Sequence, residues 1–119
     1  MDSKQLISLA ILIVLVDIPW LWYISGPFGE TVKQIQGGKP MVSRMFFAIP
    51  VYLALAYLLS LANNWKQAFL IGLCAYAVYD FTNLTTLQNY GFQLAVMDSV
   101  WGGTLMAIAF YLAKRFKLF

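Results

Sequence analysis

An all-α membrane protein, an antiparallel bundle of four transmembrane helices forming a single domain, is the fold class this sequence predicts. Three observations carry that prediction. Of 119 residues, 61% are hydrophobic and only 11% charged, whereas a soluble domain carries about 25% charged residues. The charges gather between four apolar runs, about residues 5–25, 42–62, 66–87 and 92–113. Each run reaches the ~20 residues that cross a ~30 Å hydrocarbon core as helix, where backbone groups must be satisfied within the segment.

The first run, Leu6 to Ile24, follows a short polar start and contains Asp17 and Pro19. Its Leu, Ile and Val residues favour insertion by roughly 0.5 kcal/mol each, which outweighs the roughly 3 kcal/mol lost at Asp17. The bulky Trp20-Leu21-Trp22-Tyr23 that follows lacks the small residues of a cleavage site, so a retained helix is expected rather than a signal peptide. Trp20, Trp22 and Tyr23 also suit a membrane-interface belt. Gly26-Pro27 is expected to stop this helix. Glu30 to Gln36 then has the pattern of two turns of surface helix, with Phe28, Val32 and Ile35 towards the membrane.

The second run is expected to kink at Pro50. Its Ala48, Ala54, Ala56, Ser60 and Ala62 allow close helix approach. Asn63-Asn64-Trp65 makes a tight turn into the third run, whose apolar residues offset little more than the insertion cost of Asp80. That helix needs its neighbours to be stable in lipid. Gln88-Asn89-Tyr90-Gly91 turns the chain into the fourth run, which contains Asp98, Trp101, Gly102 and Gly103 and ends at Lys114-Arg115-Phe116-Lys117.

Composition excludes several classes. The chain has no histidine and one cysteine, so no histidine triad exists and the ligands of zinc, haem and iron–sulfur sites are missing. No cofactor and no metal site are expected. Net charge is +3, without the dense basic face that nucleic acid requires. The expected partners are the lipid bilayer and a second copy of the chain or a larger membrane complex. Cys74 is expected to be a small buried side chain, and Gly102-Gly103 a close helix contact. Four spans put both termini on one side, with Lys4, Lys66, Lys114, Arg115 and Lys117 against Lys33, Lys39 and Arg44 on the other. That bias favours cytoplasmic termini and leaves the host membrane open.

The candidate site is a set of intramembrane carboxylates, which are costly in lipid and therefore call for an explanation. At 1.5 Å per residue, Asp17, Asp80 and Asp98 lie roughly 3, 5 and 7 Å from the span midpoints, all on the same side. Three helices thus bring three carboxylates to one depth. Asp80 and Asn83 share a helix face with Tyr76 and Tyr79. Trp20 and Trp101 each follow an aspartate by three residues and carry an indole donor. Thr82 and Tyr52 add hydroxyls. Arg44 is the cation placed to reach inward, and is expected to pair with Asp98 or Asp80.

The stretch Tyr79-Asp80-Phe81-Thr82-Asn83-Leu84-Thr85-Thr86-Leu87, followed by Asp98-Ser99-Val100-Trp101-Gly102, resembles the signature of a family of small membrane proteins catalogued as domain of unknown function 2177. Asp17 with Trp20 is similar to that family's first helix. The resemblance covers nearly the whole chain and implies four membrane helices. It implies no activity.

Three functional readings follow. The first is a binding or transport protein whose aspartate cluster (Asp17, Trp20, Arg44, Tyr76, Tyr79, Asp80, Asn83, Asp98 and Trp101) handles protons, a cation or a small polar ligand. The second is an accessory subunit of a larger membrane assembly, with the polar residues holding helices together by hydrogen bonds. The third is a membrane enzyme using paired carboxylates as acid and base. A continuous watery path from one face to the cluster favours the first, a dry cluster with every donor paired and an apolar outer face docked on another protein the second, and a side opening wide enough for a lipid tail is needed for the third.

Overall fold

The computed structural model describes residues 2–39 and 45–119. It is an all-α bundle of α1 (Ser3–Ile35), α2 (Ala48–Ser60), α3 (Trp65–Thr86) and α4 (Phe92–Arg115), with a 3-10 turn at Met45–Phe47 leading into α2. Local chemistry sets the starts. Asp2 accepts from the Gln5 backbone N–H at 2.8 Å, and the Gln5 side chain accepts from the Asp2 N–H at 3.1 Å. This reciprocal capping box satisfies two donors that a helix N-terminus otherwise leaves free. Asn64 caps α3 by accepting from Gln67 N–H at 2.9 Å.

The helix boundaries differ from expectation at two places. Gly26-Pro27 does not stop α1, which runs 33 residues through Pro19 and Pro27. A proline forfeits one backbone hydrogen bond, at about 3 kcal/mol. Continuing lets Phe28 and Ile35 bury apolar surface against the α3–α4 turn and the start of α4, which offsets that loss. At 1.5 Å per residue α1 is about 50 Å long, so it projects well beyond a ~30 Å hydrocarbon core. The expected surface helix is simply its extension. Phe28 and Ile35 pack there against a cluster formed by Ile24, Tyr90, Leu94 and Ala95 rather than facing lipid.

The second difference is α2, which has 13 residues and measures about 20 Å. Among the described residues three helices are long and apolar enough to cross a membrane, and α2 is shorter. Pro50 lies in its first turn, where the missing N–H has no intrahelical acceptor to lose. It marks the start of the helix instead of kinking its middle.

The outer surface is apolar. Trp22, Phe46, Val78 and Phe116 are each at least 67% exposed, an arrangement that suits lipid as the solvent. The centre belongs to α4, half of whose apolar window is buried. It packs against α3 along its length and against α1 on its other side, while α2 leans on α1. Residues Leu9, Ile13, Leu55, Leu59, Leu105 and Met106 fill the main core. The α3–α4 contact depends on glycines. A Cβ at Gly72 would strike the Gly102 carbonyl oxygen, one at Gly102 would strike the Tyr76 ring, and one at Gly103 would lie 2.8 Å from Phe69. Gly102 and Gly103 are therefore the close helix contact expected of them. Cys74 is exposed instead of buried, because the α3 face that meets α4 carries Gly72, Tyr76 and Asp80.

Candidate functional site

Two short segments run in opposite directions and clasp one another. On α1, Asp17 and Trp20 are three residues apart and share a face. On α4, Asp98 and Trp101 repeat the spacing. Trp101 Nε1 donates to Asp17 Oδ1 at 2.7 Å, and Trp20 Nε1 donates to Asp98 Oδ1 at 3.2 Å. Each aspartate thus takes the indole of the opposite helix, which only an antiparallel pairing allows. The two indole rings stack between the bonds, with centroids 5.3 Å apart and planes 15° from parallel. Trp20 accordingly turns inward, whereas Trp22 and Tyr23 are exposed on the outer face.

The three aspartates differ in how well they are satisfied. Asp17 is 3% exposed, and its second oxygen accepts from the Tyr52 hydroxyl at 2.5 Å. Both of its oxygens are therefore engaged by donors. Asp98 is half-buried and lines open space. Asp80 is fully buried. Its Oδ1 accepts from the Tyr90 hydroxyl at 2.7 Å, but its Oδ2 has no partner. Asp98 stands within hydrogen-bonding reach of Asp80, but an ionised carboxylate has no proton to offer. One proton shared between Asp80 and Asp98 satisfies the orphaned oxygen, whichever of the two carboxyls carries it. Leaving it bare costs about 1–3 kcal/mol. Asp80→Asn, whose amide supplies that proton permanently while its carbonyl still accepts from Tyr90, is therefore expected to keep or raise the thermal unfolding midpoint of the protein in detergent. A fall of more than a few degrees would show that Oδ2 has a partner of its own.

Asn83 is half-buried on α3 and stands within reach of the Tyr79 and Tyr90 hydroxyls. Burial, and then the bond to Asp80, hold the Tyr90 hydroxyl above the ordinary tyrosine range, so it stays a donor at neutral pH. Tyr90 is the site residue that the sequence hid. It lies in the α3–α4 turn, where no periodicity marks an inward face. The threonines contribute less than expected. Thr82 is exposed, and the Thr85 and Thr86 hydroxyls donate to the carbonyls of Phe81 and Thr82 one turn back. Arg44, the expected counter-ion, lies outside the described residues.

A cavity of about 190 Å³ adjoins the clasp, lined in part by Asp17, Trp20, Tyr52, Tyr76, Tyr79 and Asp98. Beside it a groove of about 380 Å³ runs between α2 and α3, walled by Val51, Leu55 and Ala75 and sharing Tyr76, Tyr79 and Asp98 with the cavity. Val51 and Tyr79 are both more than half exposed, so the groove opens sideways between the two helices. Among the described residues no three His, Cys, Asp or Glu side chains are grouped to hold a metal ion, and no ion pair forms.

Residues 3–114 match a family described as predicted membrane protein (DUF2177). No curated protein and no solved structure matches the chain.

Proposed function

Because the chain belongs to the family of predicted membrane proteins catalogued as domain of unknown function 2177, whose description carries no activity, we propose its role from the site: a binding or transport protein whose aspartate cluster handles protons, a cation or a small polar ligand. The observation that supports this reading is the cavity of about 190 Å³ against Asp17 and Asp98. Polar residues that only fasten helices need no free volume beside them. This space has room for several waters, each occupying about 30 Å³ in the liquid. The half-buried Asp98 faces it from α4 and the Trp20 indole from α1.

A second reading is favoured by Asp17, whose oxygens both have donors. Such a fully paired group acts as a fastening, and an accessory subunit of a larger membrane assembly needs nothing more. Flux separates the two. Parent protein, Asp98→Asn and Asp98→Ala are reconstituted in liposomes, and proton and monovalent-cation flux is followed across pH. A working site requires its charge to change, so Asp98→Asn is expected to fold normally and lose at least tenfold in a pH-dependent flux. Normal folding with no flux in the parent at any pH would end the transport reading and leave the accessory subunit.

The protein is proposed to sit with both termini in the cytoplasm, from the basic residues flanking α3 and α4. A reporter fused after Phe119 is expected to be accessible from the cytoplasmic side alone. The lipid bilayer is its proposed partner, together with a second copy or a larger membrane complex docked on the apolar exterior.

A further inference from the structure

We propose that the cavity and the groove form one binding site for an amphipathic organic ammonium, its cationic head held between Asp98 and the aromatic rings and its apolar tail lying between α2 and α3. The proposal deepens the binding reading above and rests on it.

The head end is built from rings and carboxyls. Trp20, Tyr52, Tyr76 and Tyr79 wall the cavity around Asp98. Aromatic faces carry negative potential, and rings surrounding a carboxylate form the kind of cage that recognises alkylated ammonium groups. The carboxyls point the same way. Asp17 is saturated by two donors, and Asp80 is fully buried and lines neither space. Asp98 receives one indole N–H, on Oδ1, and is the carboxyl common to the cavity and the groove. An inorganic cation would have to shed its water and find several oxygens at once, and no suitable group of three is present among the described residues. An alkylated ammonium is weakly hydrated and needs charge and ring faces more than coordination.

The tail end follows from the shape. A cavity of about 190 Å³ is smaller than the roughly 300–1,000 Å³ typical of sites for drug-sized ligands. The groove of about 380 Å³ shares Tyr76, Tyr79 and Asp98 with it, and together they fall within that range. Val51, Leu55 and Ala75 give the groove apolar walls with no group to receive a second charge. Its side opening admits a chain from the lipid. One positive charge and one alkyl chain match this polarity pattern.

The test uses the full chain carrying Trp22→Phe and Trp65→Phe. Both tryptophans are exposed, and their removal leaves Trp20 and Trp101 as the sole fluorescent indoles. Octyltrimethylammonium is titrated into the protein in a neutral detergent, with octanol as the uncharged probe. A saturable change in indole emission is expected with the ammonium, at least tenfold weaker with octanol. Asp98→Asn should weaken ammonium binding at least tenfold. Ala75→Phe, which fills the groove and spares the carboxyls, should weaken it similarly and covers the case in which Asp98→Asn fails to fold. Equal responses in parent and variants would mean partition into detergent and overturn the proposal, as would no saturable response. Binding seen only in an Arg44→Gln variant would give the cation's place to Arg44 and overturn it too. Proton flux in liposomes without ammonium binding would refute this proposal while leaving the broader reading standing.

Discussion

Asp17→Leu is expected to lower stability more than any other single change at the polar site. The carboxylate accepts from Tyr52 on α2 and from Trp101 on α4, so it fastens three helices at one point. Leucine leaves the half-buried Tyr52 hydroxyl and Trp101 indole N–H without this acceptor. Each orphaned donor costs about 1–3 kcal/mol, giving a total of about 2–6 kcal/mol against some return from removing a buried carboxylate. Asp17→Asn keeps one acceptor and should fall between Asp17→Leu and the parent. Tyr52→Phe removes one of the donors that Asp17→Leu orphans. The double variant should therefore be more stable than the sum of the single losses predicts, by about 1 kcal/mol or more. Unfolding midpoints in a single detergent, for the two single variants and the double, measure that coupling. Strict additivity would show that Tyr52 and Asp17 do not act as a pair.

Gly72→Leu should separate α3 from α4. The obstacle is the carbonyl oxygen of Gly102, with Met106 Cγ 2.6 Å away. A flexible side chain can swing aside, but a helix backbone cannot without moving the helix. Overfilling a packed core costs about 1–3 kcal/mol, and a backbone clash belongs at or above the upper end. Gly103→Ala meets first the Phe69 side chain, nearest at 2.8 Å, and should cost less. Gly29→Ala is the control. It lies inside α1 with nothing within 4 Å of the new methyl. Alanine is worth about 0.5–1 kcal/mol over glycine within a helix, so this variant should be as stable as the parent or slightly more. Thermal unfolding and the fraction surviving titration with a harsh detergent rank the three. A Gly72→Leu midpoint equal to that of Gly29→Ala would refute the close contact.

Much of the site was legible at the level of faces. Asp17 with Trp20 and Asp98 with Trp101 could be read as aligned pairs, because residues three apart on a helix share a face whatever surrounds them. A common depth for the carboxylates was expected from span lengths alone. Their unequal states could not be read. Nothing local makes Asp17 satisfied on both oxygens, Asp98 open and Asp80 left with one bare oxygen. Those differences come from Tyr52 on another helix, from the cavity beside Asp98, and from Tyr90 in a turn. Trp20 shows the same limit. An indole near a span end suits both the membrane interface and a buried acceptor, and the second prevails here because α4 places Asp98 opposite it.

By itself, the sequence determined that this is a membrane protein, that it is all-α, and, to within two residues, where α3 and α4 begin and end. Apolar run length, caps and turn residues act within a few positions of one another, so they need no partner to be read. The tertiary structure alone decided that α1 continues through Pro27 to Ile35, that each aspartate takes the other helix's tryptophan, and that α2 stands away from α3 to leave the groove. These outcomes depend on which surfaces meet across the bundle. A helix continues past a proline when the residues beyond it find a surface to pack on, and a donor goes to the acceptor that packing brings within 3 Å or so.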